Sequence, residues 1–241
     1  MKMVVLHGQM HQGSTYHITK QFIHHLSQNN TDIQEFFLPK DAPHACVGCF
    51  NCFTKGETNC PHADWIQPIA KAIEEADLII LESPCYVMGM TGQLKAVLDH
   101  FGYRWMPHRP HPAMFSKVGL VISTAAGAGT KKVTKAMKEN LFFWGIPKIY
   151  RYGKNVNAMN WQGVNEKKKL KIEREVIKKS RSISKHIGHA KPGLKTKFMF
   201  QIMQMMQKGN DYNPLDKEHW ENNGWLAKQK PWQITSSKKQ R

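Results

Sequence analysis

Five short apolar runs, each followed by residues with a helical period or by a turn, constrain what this chain can fold into more than any other feature. The runs lie at 3–6, 33–38, 78–81, 118–123 and 146–150. The third, Leu78-Ile79-Ile80-Leu81, contains no polar residue. A strand with one wet face alternates apolar with polar residues, so a bare run needs cover on both faces, as in a parallel sheet flanked by helices. Helices are predicted over 14–26, from a cap at Asp64 to residue 75, and over 91–101 and 131–143. Strands and helices alternating in this way form an α/β doubly wound sheet, here of five parallel strands. Ligands of such sheets lie beyond the carboxyl ends of the strands, at the switch in strand order.

Three loops at those ends carry the candidate binding residues. The first, 8–15, holds Gln9, His11, Ser14 and Thr15 between two glycines and a helix start, where backbone N–H groups and the helix dipole favour a phosphate. Its glycines follow neither the dinucleotide G-x-G-x-x-G spacing nor a Walker loop, and an ordinary capped turn reads the same way. The second, 83–90, contains Pro84, Cys85, Tyr86, Met88 and Gly89, a tight path along which a flat ring can lie. The third, 123–130, contains Thr124, Ala125, Gly127 and Gly129, small residues that let a ring approach the backbone closely. Together the loops describe a mononucleotide pocket.

Cys46, Cys49, Cys52 and Cys60 form a C-x2-C-x2-C-x7-C run between the second strand and the helix from Asp64. Thiolates are soft ligands, and this compact spacing suits an iron–sulfur core better than zinc, which more often joins two separated C-x2-C knuckles. An unmetallated loop beside another cofactor is the plain alternative. The cysteine count of five is odd, and residues 3–6 are too short for a secretory apolar region, so an intracellular, reduced, cytoplasmic protein is expected. No apolar stretch is long enough to span a bilayer.

Charge divides the chain. Residues 1–120 hold 9 Lys and Arg against 10 Asp and Glu, and residues 121–241 hold 26 against 8. The expected organisation is a domain over 1–189 and a basic, Met- and Trp-rich helical extension over 190–241. Residues 166–186 read as an amphipathic helix of the main domain. The extension suits subunit contact in a homo-oligomer or closure over the site, with peripheral contact to an anionic membrane as the alternative. Charge of this size also gives salt-dependent affinity for phosphate backbones, yet no recognised motif for specific nucleic-acid binding accompanies it. The aromatic and basic segment 101–115 is read either as a wall of the pocket that pairs with substrate phosphates or as a structural loop.

The residues resemble those of the flavodoxin-like NAD(P)H-dependent FMN reductases, and within them the iron–sulfur flavoproteins. The resemblance covers about residues 1–155. It rests on H-G-Q-x-H-x-G-S-T at 7–15, the cysteine run, A-D-L-I-I-L-E-S-P-C-Y at 76–86 and T-G-Q-L-K-A-V-L-D at 91–99. It implies FMN, with Gln9, His11, Ser14 and Thr15 around the phosphate, the 84–89 loop along the isoalloxazine and the 124–129 loop at its pyrimidine end. It also implies NAD(P)H as co-substrate, a small-molecule electron acceptor such as a quinone, and a 4Fe-4S cluster at the four cysteines. A carrier that takes electrons from ferredoxin and a basic redox-sensing protein are the alternatives. Two departures stand out: Gln9 and His11 replace the Ser and Arg of the usual G-S-x-R loop, and Asp99-His100 replaces Asp-Arg.

Overall fold

A computed structural model describes residues 1–234. Strands β1 (Lys2–His7), β2 (Asp32–Phe37), β3 (Leu78–Glu82), β4 (Val118–Ala125) and β5 (Lys148–Asn155) form one sheet of order β2-β1-β3-β4-β5, parallel throughout. The connections carry helices α1 (Ser14–Leu26), α2 (Asn51–Thr54), α3 (Ala63–Glu75), α4 (Gly92–His100) and α5 (Thr130–Phe143). After β5 come α6 (Glu166–Ser184), α7 (Leu194–Lys208), α8 (Pro214–Asn222) and α9 (Pro231–Ile234). This is the flavodoxin-like order, and the strand direction of travel reverses between β1 and β3.

Alternation along the central strands divides the core in two. Val4, Leu6, Ile79, Leu81 and Val121 pack under α3, α4 and α5. Met3, Val5, Leu78, Ile80, Leu120 and Ile122 pack under α1 and α6. β3 is buried along its whole length, which is why its sequence is apolar at every position before Glu82. β5 is the exception to the predicted bounds, running to Asn155 where the apolar signal stops near Tyr150. It is an edge strand, so polar Arg151, Gly153 and Lys154 complete the ladder with β4 without being buried on both sides.

The extension packs on its own chain. Phe200 and Met203 of α7 join Trp220 of α8 and Trp225 in a cluster with Met106 and Phe115. Polar contacts fix the docking. Asp216, fully buried, accepts from Arg109 at 2.5 Å, pairs with His108 at 2.7 Å and accepts from Asn213 at 3.0 Å. Trp220 Nε1 donates to the His108 carbonyl at 2.6 Å and Gln207 to that of Pro107 at 2.6 Å. Residues 235–241, the end of the 190–241 extension, lie outside the described ones. Among the described residues no helix is long and apolar enough to cross a membrane.

A charged network closes the carboxyl edge of the sheet. His7 is fully buried, with Nδ1 3.0 Å from Glu82 and Nε2 2.9 Å from Glu35, and its ring stacks on Phe37. Burial opposes the charged ring, but the hydrogen bonds to Glu35 and Glu82 outweigh it and raise the His7 pKa. The bond with His7, opposed by partial burial and joined by one from Lys20, brings Glu35 down to about 2. At Glu82 burial dominates and raises the carboxyl against the pull of His7. The charged pair is therefore His7 with Glu35. Its stabilisation from Glu35 is present above the ordinary value of 4.5 and fades as pH falls toward 2. The share from His7 is complete below 6.5 and fades as pH rises through the raised folded value. Glu35→Gln should therefore cost about 1 to 3 kcal/mol near pH 6 and progressively less as pH rises through the raised His7 value. Urea denaturation of both proteins over a pH series starting at about 6 checks this.

Candidate functional site

The first loop is held from below. Gly8 N donates to the Glu82 carbonyl at 2.9 Å, and a Cβ on Gly8 would stand 2.7 Å from that oxygen and 2.8 Å from Thr91 Oγ1. Only glycine fits between β1 and β3 there. Gly13 is the N-cap of α1 and offers no capping side chain, and the first turn has no acidic residue. Its N–H groups and the positive end of the helix dipole are thus left for an anion.

The other two loops meet the first. Thr15 Oγ1 lies 2.7 Å from Thr124 Oγ1, a buried hydrogen bond between α1 and the end of β4. Ser83 N donates to Ile122 O at 3.0 Å and Cys85 N to Thr124 O at 2.8 Å, which carries the β3–β4 pairing past the end of β3. Tyr86 and Gly89 then exchange two hydrogen bonds of 2.9 Å around a turn with Val87 at φ 48° and Met88 at φ 61°. A left-handed β-branched residue costs about 1 to 3 kcal/mol, and such strain gathers at functional loops. Ala125 and Ala126 carbonyls accept from Val156 at 2.8 Å and Asn157 at 2.9 Å, tying the third loop to the end of β5.

These loops enclose a cavity of about 250 Å³ lined by His11, Gly13, Ser14, Thr15, Pro84, Cys85, Tyr86, Thr124, Ala125, Ala126, Val156, Ala158 and Met159. A larger cavity, about 880 Å³, lies elsewhere, at Asp77, Lys117 and His189. It stands at the opposite, amino-terminal edge of the sheet and gathers no strand-end loop.

The cysteine loop follows β2. Cys46 and Cys49 are exposed and Cys52 and Cys60 half-buried, on a path shaped by the short helix α2 and left-handed Gly48, Phe50 and Gly56. Burial first, then the negative charges of Cys46 and Cys60, push the Cys52 thiol up to about 11, against the pull of Arg109. The thiols lie within electrostatic reach of one another, an arrangement that a bound cation reverses.

Comparison with known proteins gives the family and the fold. The sequence model of the NADPH-dependent FMN reductase family matches residues 1–157. The chain belongs to this family. An iron–sulfur flavoprotein of Archaeoglobus fulgidus is 30% identical over 122 residues, which is 50% of this chain and 53% of that protein. The match thus spans about half the length of that relative. An iron–sulfur flavoprotein of Methanocaldococcus jannaschii is 28% identical over 144 residues, 59% of this chain and 72% of the other. Among solved structures, an FMN-dependent NADH-azoreductase of Bacillus anthracis in complex with FMN superposes with a TM-score of 0.57 at 14% identity, over 76% of this chain and 100% of that one. At that identity the likeness is one of fold.

The structure gathers most of the expected binding residues at one cavity. His11, Ser14, Thr15, Pro84, Cys85, Tyr86, Thr124 and Ala125 line it. Gln9 stands behind, buried, with Oε1 lacking a hydrogen-bond partner among the described residues. Met88, Gly89, Gly127 and Gly129 lie outside the lining, and Gly129 backs onto Cys85 and Met88. Val156, Ala158 and Met159 were not among the expected residues. Their only signal was the continuation of β5 beyond Tyr150. His7, Glu35 and Glu82 were also missed, although a lone polar residue closing each of two apolar strands marks His7 and Glu82.

The segment 101–115 does not wall the cavity. Arg104 pairs with Glu74, and Arg109 pairs with Asp216 and donates to the Cys52 carbonyl. Both guanidinium groups are buried and ion-paired with a carboxylate, and neither lines the cavity.

Gly129 has φ 101°, and a Cβ there would stand 2.3 Å from Cys85 Sγ and 3.1 Å from Met88 Sδ. Gly129→Ala should displace the second loop and weaken FMN binding by about 1 to 3 kcal/mol, read by fluorescence titration of the flavin.

Proposed function

We propose that this chain is an FMN-dependent NAD(P)H oxidoreductase that passes electrons from a nicotinamide through flavin to a small, quinone-like acceptor. The observation that carries the reading is the junction of three strand-end loops at the Thr15–Thr124 hydrogen bond, beside a helix N-terminus without a capping side chain. FMN fits that arrangement. Its phosphate would take the first-turn N–H groups of α1 with Ser14 and Thr15, and its ring would lie among Pro84, Cys85, Tyr86, Thr124 and Ala125. FMN, when bound, supplies hydride and single-electron chemistry.

The chain's own part is position and electrostatics. The free N–H groups of α1 hold a dianion without an arginine, which answers the lack of Arg in the first loop. The Thr15–Thr124 bond fixes the distance between the phosphate end and the β4 end of the pocket. Tyr86, Val87 and Met88 are exposed beside it, so the mouth is open to a flat co-substrate. Small residues at Ala125 and Ala126 leave backbone next to the ring, where amide dipoles favour negative charge at its pyrimidine end.

The cysteine loop is the proposed exit for single electrons. Cys46, Cys49, Cys52 and Cys60 would hold a 4Fe-4S cluster, whose chemistry is one-electron transfer. The names of the two archaeal relatives support it, and so does a donor set of four soft ligands on one loop that Arg109 holds at the Cys52 carbonyl. Phe198, Met205 and Met206 remain exposed on α7 beside Lys195, Lys197 and Lys208, a surface suited to a second copy of the chain or to an anionic membrane.

Chromophore released by heating should chromatograph as FMN, and substitution of Ser14 and Thr15 together by Ala should weaken its binding by about 1 to 3 kcal/mol. Recovery of FAD, or unchanged affinity in the double variant, counts against the placement. For the cluster, Cys49→Ala should remove iron and the broad visible absorbance of anaerobically purified protein while Cys85→Ala keeps both. Equal iron in wild type and Cys49→Ala would leave the flavin as the sole redox group.

A further inference from the structure

Cys60 faces two histidines as well as the other cysteines. One donor atom each from Cys60, His62 and His100 lie within 4.8 Å of one another, the only such group of three among the described residues. They come from separate elements: Cys60 ends the cysteine loop, His62 is the N-cap of α3, and His100 is the last residue of α4. Neither histidine lines the flavin cavity.

The hydrogen bonds around the group set it up as a ligand sphere. His100 Nε2 lies 3.1 Å from the carbonyl of His44. A carbonyl only accepts, so Nε2 carries the proton and Nδ1 presents its lone pair. That lone pair points at Cys60 Sγ, 3.6 Å away. A carbonyl that orients the far nitrogen of a histidine is the usual support of a metal ligand. Metal–sulfur and metal–nitrogen arms of about 2.3 and 2.05 Å at a tetrahedral angle put the two donors about 3.6 Å apart, which is the separation found. His62 N donates to Cys60 Sγ at 3.4 Å, which favours the thiolate. His62 Nδ1 is buried without a hydrogen-bond partner among the described residues, and the ring is held by stacking on His44 at 4.8 Å. One thiolate and two imidazoles are the donor set of a borderline-soft divalent ion.

We infer that Cys60, His62 and His100 form a mononuclear site for a tetrahedral divalent cation of the zinc class, with water in the fourth position. The site ties the cysteine loop to the ends of α3 and α4. It draws on Cys60, so it fills in chains whose cysteine loop carries no cluster. It does not depend on the flavin.

The full chain, stripped of metal by chelation under anaerobic conditions, is titrated with Co2+ as the probe and then with Zn2+ in competition. One Co2+ per chain is expected, with the intense visible bands of tetrahedral cobalt and a thiolate charge-transfer band, all displaced by one Zn2+. His100→Ala and His62→Ala should each weaken binding by more than about 10-fold, and Cys49→Ser should leave it unchanged. His62 is only half-buried, so its variant tests the site even if loss of the buried His100 perturbs folding, which circular dichroism reports. The weak bands of octahedral cobalt, or full affinity in His62→Ala, would overturn the proposal. Equal loss in Cys49→Ser and His62→Ala would overturn it too, by giving the ion to the thiolates. Flavin content, measured on the same samples, tells these results apart from a failure of the FMN reading.

Discussion

A parallel sheet has no surface to spare. Its strands need helices on both faces to bury apolar side chains, and each crossover returns the chain to the same edge before the next strand begins. Chemistry is thereby confined to the loops at the carboxyl ends. In this chain β1, β3 and β4 end side by side, so the loops that follow them meet without any loop having to reach far. The Thr15–Thr124 bond is the point of contact. Beneath it, His7 and Glu82 take the last positions of β1 and β3, where a pair of buried ionisable groups replaces the hydrocarbon that fills the rest of the sheet. The polar edge of the core and the binding edge of the molecule are the same place.

That confinement also decides what was legible in the sequence. The central strands were legible because burial on both faces leaves no room for polar residues, and α1 was read from Ser14 to Leu26 as the structure has it. The edge strand β5 was legible only to Tyr150, since one unpaired side lets Arg151 and Lys154 into the ladder. Loss of that half-strand hid Val156, Ala158 and Met159, which follow it into the cavity. Loop residues chosen by composition, such as Gly127, say nothing about direction: a glycine supplies freedom, and the neighbouring carbonyls decide where the chain goes. Pairings across long stretches were invisible. Nothing in the spacing of His7, Glu35 and Glu82, or of Cys60 and His100, tells that strand order and helix length bring them together.

The basic extension was legible as a chain segment in need of a surface, and the surface is its own. Phe200, Trp220 and Trp225 find Met106 and Phe115, residues of the segment whose aromatic and basic composition resembled a substrate wall. Arginine composition alone cannot separate a ligand for phosphate from a buried partner for aspartate. Asp216 makes the difference, more than a hundred residues downstream of the arginine it holds.

Arg109 gives this arrangement its reach. One face of its guanidinium group meets Asp216 of α8 and another the Cys52 carbonyl, with Glu57 3.5 Å away. Cys52 and Phe53 pack the cysteine loop against the core, and Arg109 ties the same stretch to α8, whose Trp220 belongs to the tryptophan cluster. Opening the loop takes the Cys52 carbonyl and Glu57 away from Arg109 and lets water reach the Arg109–Asp216 pair that docks α8. Opening of the loop and docking of α8 are in consequence coupled through this one side chain, although the two segments lie far apart in the sequence.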